Sequence, residues 1–171
     1  MRLFVLRPFG EAEARAMIQW RYEPPYDIYN LVTTDCDAQV RFLADPRSYY
    51  YAIVCSPDDD LVGFCCFEAD ARVPGGDYTE AALDIGLGVR PDRTGRGLGQ
   101  AFVEAVIAFG CEWFSAPALR VTIAEFNARA LRVWERAGFE RVGRFTRADD
   151  GRVFLVLMRA APIATVRLVV Q

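Results

Sequence analysis

Thr94-Gly95-Arg96-Gly97-Leu98-Gly99-Gln100 is the stretch on which the reading of this chain turns. It follows an apolar run, residues 81–89, and opens a run with helical apolar spacing that begins near Leu98. A glycine-rich turn between a strand and a helix aims several backbone N–H groups at one spot, and the positive end of the helix dipole faces the same way. A phosphate or pyrophosphate is the natural guest. Gly95, Gly97 and Gly99 leave the backbone free to approach it without a Cβ in between.

Two common phosphate sites do not fit. A P-loop carries Lys-Ser/Thr after its last glycine, and here Gln100 follows Gly99. The dinucleotide fingerprint is Gly-x-Gly-x-x-Gly early in a βαβ unit, whereas this third glycine falls one residue early and late in the chain. A nucleotide-binding protein is therefore the weakest reading. Further on, Leu119, Val121 and Ile123 alternate with Arg120, Thr122 and Ala124, as in a half-buried strand. Then comes Asn127-x-x-Ala130-x-x-x-Trp134-x-Arg136-x-Gly138-Phe139, with Asn127 placed to cap a helix and Gly138 to end it in the left-handed conformation.

The string Val89-x-Pro91-x-x-Thr94-Gly95-x-Gly97-Leu98-Gly99 resembles the acyl-CoA-binding turn of the GNAT superfamily of N-acetyltransferases. The segment from Asn127 to Phe139 resembles that family's second motif, most like the branch that acetylates ribosomal-protein N-termini. The resemblance implies an α/β (α+β) fold over residues 1–160: a mixed central sheet of about seven strands, splayed in the middle, with about four helices. It implies acetyl-CoA as co-substrate, with no metal, held by Leu87, Gly88, Val89, Thr94, Gly95, Arg96, Gly97, Leu98, Gly99, Gln100, Asn127, Ala130 and Trp134. A bound primary amine attacks the thioester directly, and the backbone N–H of Leu87 polarises its carbonyl. Trp134 stands where many relatives carry a tyrosine that protonates the leaving thiolate. An indole N–H donates only, so the ring is assigned to packing beside the pantetheine arm. A turn retained without that acid also fits a non-catalytic acyl-CoA-binding or sensing module.

Candidate bases for the incoming ammonium are Asp84, Glu68 and Glu125, all on or beside strands near the expected site. The Trp- and Tyr-rich loop after the first helix supplies an acceptor wall in Tyr22, Tyr26 and Tyr29. Gly86 and Gly88 suit a bulge in the strand before the glycine turn. Arg90, Arg93, Arg96, Arg129, Arg132 and Arg136 bracket the two motifs, a placement that favours some of them as phosphate ligands over solvated surface.

At 171 residues, 53% hydrophobic and 25% charged, the chain is sized and composed for one globular domain. A net charge of −3 gives no basis for nucleic-acid binding. The absence of histidine excludes a Cys–His nucleophile and an imidazole zinc site. Five cysteines, an odd number without metal-like spacing, read as free thiols in a cytoplasmic protein, with Cys65 and Cys66 on opposite faces of a strand. Neither a signal-peptide layout nor a membrane-length apolar run is visible. The expected partner is a small-molecule amine or a protein N-terminal amine. Helices are expected over residues 11–20 and 37–44, strands over 2–7, 49–55 and 61–68, and a final hairpin over 140–145 and 153–159. The β-prone extension 161–171 is expected to add a strand or to pair with another copy in a homodimer.

Overall fold

The computed structural model describes residues 3–162; the expectation of an extra strand near the C-terminus falls mostly outside them. In chain order the elements are β1 (Leu3–Pro8), α1 (Glu11–Ile18), α2 (Cys36–Ala44), β2 (Tyr50–Ser56), β3 (Asp60–Phe67), β4 (Leu83–Val89), α3 (Gly99–Trp113), β5 (Ala118–Ala124), α4 (Ala128–Arg136), β6 (Glu140–Thr146) and β7 (Val153–Ala160). Seven strands form one sheet in the order β1-β2-β3-β4-β5-β7-β6. All neighbours are antiparallel except β4 and β5, which the α3 crossover makes parallel. This is the mixed seven-stranded, four-helix architecture expected from the sequence.

The sheet forks at its centre. β4 and β5 pair only at Leu83↔Leu119 and Asp84↔Arg120 and then part. Those last paired residues carry a buried ion pair. Arg120, 1% exposed, donates from Nε and Nη2 to the two carboxylate oxygens of Asp84 at 2.6 and 2.9 Å, and Arg72 adds a third bond at 2.7 Å. Arg120 also holds the Glu80 carbonyl at 2.9 Å and stacks over the Tyr78 ring. The loop between β3 and β4 is thus tied to the vertex of the fork.

Apolar side chains fill both faces of the sheet. One core joins Val62, Cys65, Phe67, Leu83, Ile85, Leu119, Val121, Ile123, Leu155 and Leu157 to Phe102, Val106, Leu131 and Trp134 of α3 and α4. The other joins Ala52 and Val54 to Ala14, Met17, Ile18, Val40 and Leu43 of α1 and α2. Cys65 belongs to the first, while the Cys66 thiol lies across Gly86 on the other face. All five cysteines are free.

Two local expectations are corrected. Helix α1 stops at Ile18 rather than residue 20, because the Arg21 guanidinium takes the carbonyls of Ile18 and Trp20 at 2.7 Å each. Trp20 therefore leaves the helix. Gly86 and Gly88 do not make a bulge, since β3 and β4 stay in register from Gly63↔Val89 to Phe67↔Ile85. They are small to let side chains of β3 lie across β4. A Cβ at Gly88 would sit 2.1 Å from the Phe64 ring, and one at Gly86 would sit 2.6 Å from Cys66 Sγ.

Candidate active site

The fork opens into a cavity of about 570 Å3 bounded by β4, the glycine turn, β5, α4 and the loop after α1. Its β4 side is a half-used strand. Arg90 N–H bonds the Val62 carbonyl at 2.9 Å, so by the alternation of an antiparallel ladder Gly88 and Gly86 face β3. The main-chain groups of Ile85, Leu87 and Val89 then point into the gap that β5 has vacated. The Val89 carbonyl bears this out, accepting a 2.8 Å bond from the Tyr22 hydroxyl across the cleft.

At the turn, Gly95 and Gly97 hold φ of +70° and +75°, the left-handed region where side chains are strained. Nothing lies within 4 Å of where a Gly97 Cβ would be; conformation and open space, not packing, call for this glycine. Gly99 differs, because its Cβ would come 3.0 Å from Val133 Cγ2, and its smallness sets α3 close against α4. Leu98 occupies the cap position of α3 and offers no side-chain acceptor, and the first turn contains no acid. The leading N–H groups of a fifteen-residue helix are thus left for an external anion.

The surrounding arginines divide into two sets. Arg90 and Arg93 are engaged by Asp60 at 2.7 and 2.6 Å, and these guanidinium groups hold the Asp60 carboxyl below the usual carboxylate range. Among the described residues Arg96, Arg129, Arg132 and Arg136 have no carboxylate partner, and the last three line the cavity. Arg129 Nη1 lies 3.9 Å from the Cβ position of Gly95. Thr94, Gly95, Gly97, Leu98 and Gly99 also line the cavity, whereas Arg96 and Gln100 do not; the Gln100 amide turns to Glu104 at 3.1 Å. An uncapped helix, a turn with glycine at positions 95 and 97, and guanidinium groups without carboxylate partners among the described residues fit the phosphates of a coenzyme A.

On the far wall, Asn127 caps α4 through Oδ1, 3.1 Å from Ala130 N–H, and its Nδ2 donates to the Tyr29 hydroxyl at 3.1 Å. Gly138 ends the helix at φ +87°. Trp134 is buried at 4% exposure, edge-on to Phe139 at 4.9 Å, and presents its ring to the cavity beside Ala130.

Tyr22, Tyr26 and Tyr29 line the cavity from the loop after α1. Tyr26 lies under the Arg129 guanidinium, 3.9 Å from its ring centre, and both Tyr26 and Tyr29 pack on Phe126. Burial pushes the Tyr22 phenol up to about 12. Sequence reasoning placed Trp20 at the head of the aromatic loop but missed Tyr50 and Phe64, which complete this wall with ring centres 6.1 and 5.9 Å from Phe64 to Trp20 and Tyr50. The available signal was strand parity: Tyr50 and Phe64 fall on one face of the hairpin, opposite the α3 core.

The three carboxylates read as candidate bases are not brought to the cavity. Asp84 is 1% exposed and spent on Arg120 and Arg72. Glu125 pairs outward with Arg144 at 3.0 Å, and Glu68 leans toward Arg72 at 3.9 Å. No Asp or Glu lines the cavity among the described residues.

Comparison with known proteins agrees with this geometry. The profile of the acetyltransferase (GNAT) domain matches residues 3–140. No curated protein sequence matches the chain. A GNAT-family acetyltransferase structure from Bacillus anthracis has a TM-score of 0.72 at 16% identity, covering 92% of this chain and 95% of that one. A structure from Bordetella pertussis assigned to the same family gives 0.71 at 22%, covering 94% and 99%. An aminoglycoside acetyltransferase in complex with coenzyme A gives 0.71 at 16%, covering 92% and 95%. At these identities the likeness is one of fold. No helix among the described residues is long and apolar enough to cross a membrane.

Proposed function

The chain belongs to the GNAT acetyltransferases, and on that premise we propose that it transfers an acetyl group from acetyl-CoA to a primary amine. The observation that carries this reading is the convergence on one cavity of three things: the turn at Gly95 and Gly97, the partnerless arginines, and the open edge of β4.

Acetyl-CoA, when bound, supplies an acyl group already activated as a thioester. The chain's own part is binding and placement. The first turn of α3 and the Gly95–Gly97 backbone receive the phosphates, with Arg129, Arg132 and Arg136 adding charge-assisted bonds. Leu87 and Val89 offer main-chain groups along the open edge of β4, and the Leu87 N–H is the donor for a developing oxyanion. Trp134 and Ala130 form the wall opposite. With no carboxylate in the lining among the described residues, the amine gives its proton to water and enters as the free base. A thiolate leaves without obligatory help from residue 134.

The test is acetyl-CoA with an amine panel, following release of coenzyme A. Spermidine and an aminoglycoside belong in it because structural neighbours carry those substrates in their names. A peptide belongs there because of the α4 motif's likeness to the ribosomal-protein branch. The chain contains no lysine, so acetylation of its own side-chain amines does not contaminate the product count. Release with at least one amine is expected. A second reading, a non-catalytic acyl-CoA sensor, is favoured by the buried indole of Trp134. It is supported if acetyl-CoA binds and no amine is turned over.

A further inference from the structure

The acceptor end of the cleft is built against polycations, and we propose that its amine is a small molecule with an aromatic body and at most one positive charge. This rests on the transferase reading and adds the class of acceptor to it.

The wall comes first. Trp20, Tyr50 and Phe64 form a contiguous aromatic surface, with ring centres 6.1 and 5.9 Å from Phe64, and Leu31 and Met17 fill in around it. A planar guest can stack on such a surface at ordinary aromatic spacing.

Charge decides against a second ammonium. No Asp or Glu lines the cavity among the described residues, and its charged groups are Arg93, Arg129, Arg132 and Arg136. A polycation would give up its hydration against this wall without a carboxylate to replace it. The tyrosines give no compensation, since burial raises the phenols of both Tyr22 and Tyr50 and keeps them neutral.

Size is limited by a strap. The segment after α1 is fastened to both lips of the cleft: Tyr22 to the Val89 carbonyl at 2.8 Å, and Tyr29 to Asn127 at 3.1 Å. Arg129 clasps Tyr26 on the second lip. A peptide needs an exit for the chain behind its N-terminus, and a compact guest beneath this strap does not.

Isothermal titration of the full chain, with and without coenzyme A, tests the assignment independently of turnover. Probes are 2-phenylethylamine, tryptamine, spermidine, kanamycin and a short peptide with a free N-terminus. The aryl amines should bind at least tenfold more tightly than the other three. Tyr50→Ala should weaken aryl-amine binding tenfold or more. Leu31→Asp, which puts a carboxylate into the lining, should improve spermidine binding at least tenfold. Spermidine, kanamycin or the peptide binding wild type as tightly as the aryl amines overturns the proposal, as does the absence of aryl-amine binding. The two readings fail separately. Aryl-amine binding without acetyl transfer overturns the transferase and keeps the acceptor class; acetyl transfer to spermidine alone does the reverse.

Discussion

The two ends of the cleft are made of different materials. At the turn the working parts are main chain: the N–H groups of an uncapped helix and two glycines at positive φ, with guanidinium groups around them. At the other end they are side chains from three separate segments, with Trp20 and Tyr22 of the loop after α1 meeting Tyr50 and Phe64 only in the fold. The first end is charged and built for an anion; the second is aromatic and holds no acid among the described residues. On the proposed reading, one end takes a phosphate group through local backbone geometry and the other takes a shape through packing. Between them the Asp84–Arg120 pair lies where the strands part.

That division can be broken at its vertex. Asp84→Ala leaves Arg120 buried without its partner and should cost about 3–5 kcal/mol of stability. Chemical denaturation checks the value, and a loss under 1 kcal/mol would mean that the pair does not hold the fork.

The shared wall comes next. Trp134→Ala should cost about 3–5 kcal/mol through lost packing and weaken acetyl-CoA binding with it. Trp134→Phe keeps a ring and should retain most activity. A hundredfold fall in kcat for Trp134→Phe at unchanged coenzyme affinity would give the indole N–H a chemical role in place of packing.

Arg129 separates the two ends more finely. Arg129→Ala should weaken coenzyme A binding by about 1.5–3 kcal/mol, roughly 10- to 150-fold, as loss of a charge-assisted bond does. The wild-type advantage should shrink as salt is raised. An unchanged affinity would place the guanidinium with Tyr26 and the strap alone.

The smallest effect belongs to Tyr22. Its phenol titrates at about 12 in the fold against 10.0 for an ordinary tyrosine. The unfolded chain therefore loses this proton first. Whatever the neutral phenol contributes to stability is whole below pH 10 and is lost as pH rises toward 12. Removing its bond to Val89 in Tyr22→Phe should cost about 0.5–1.5 kcal/mol at pH 8. Denaturation midpoints at pH 8 and pH 11 should converge for wild type and Tyr22→Phe.

The same contrast explains what could be read without a structure. Gly95, Gly97, Asn127 and Gly138 act through their own backbone or the next turn, so their residue types and spacing already carry the geometry. Strand parity likewise separates Cys65 from Cys66. The ion pair of Asp84 was not legible because its partner lies 36 residues away, and alternation along β4 cannot say what faces it. Gly86 and Gly88 looked like a bulge for a similar reason: the Phe64 ring that requires them belongs to the neighbouring strand. Trp20 was assigned to a helix that ends two residues earlier, where the Arg21 side chain intervenes. Pairings across the sheet leave no mark on local pattern.

The central claim is that the turn before α3 binds the coenzyme, and one measurement addresses it directly: the thermal shift given by acetyl-CoA to wild type and to Gly97→Val. A ligand specific for the native state must stabilise it, by about 2.7 kcal/mol at a hundredfold excess over Kd. A valine at φ +75° strains the turn and fills the open space above it. The shift should be clear in wild type and absent in folded Gly97→Val. An equal shift in both proteins would contradict the assignment and remove the turn from the site.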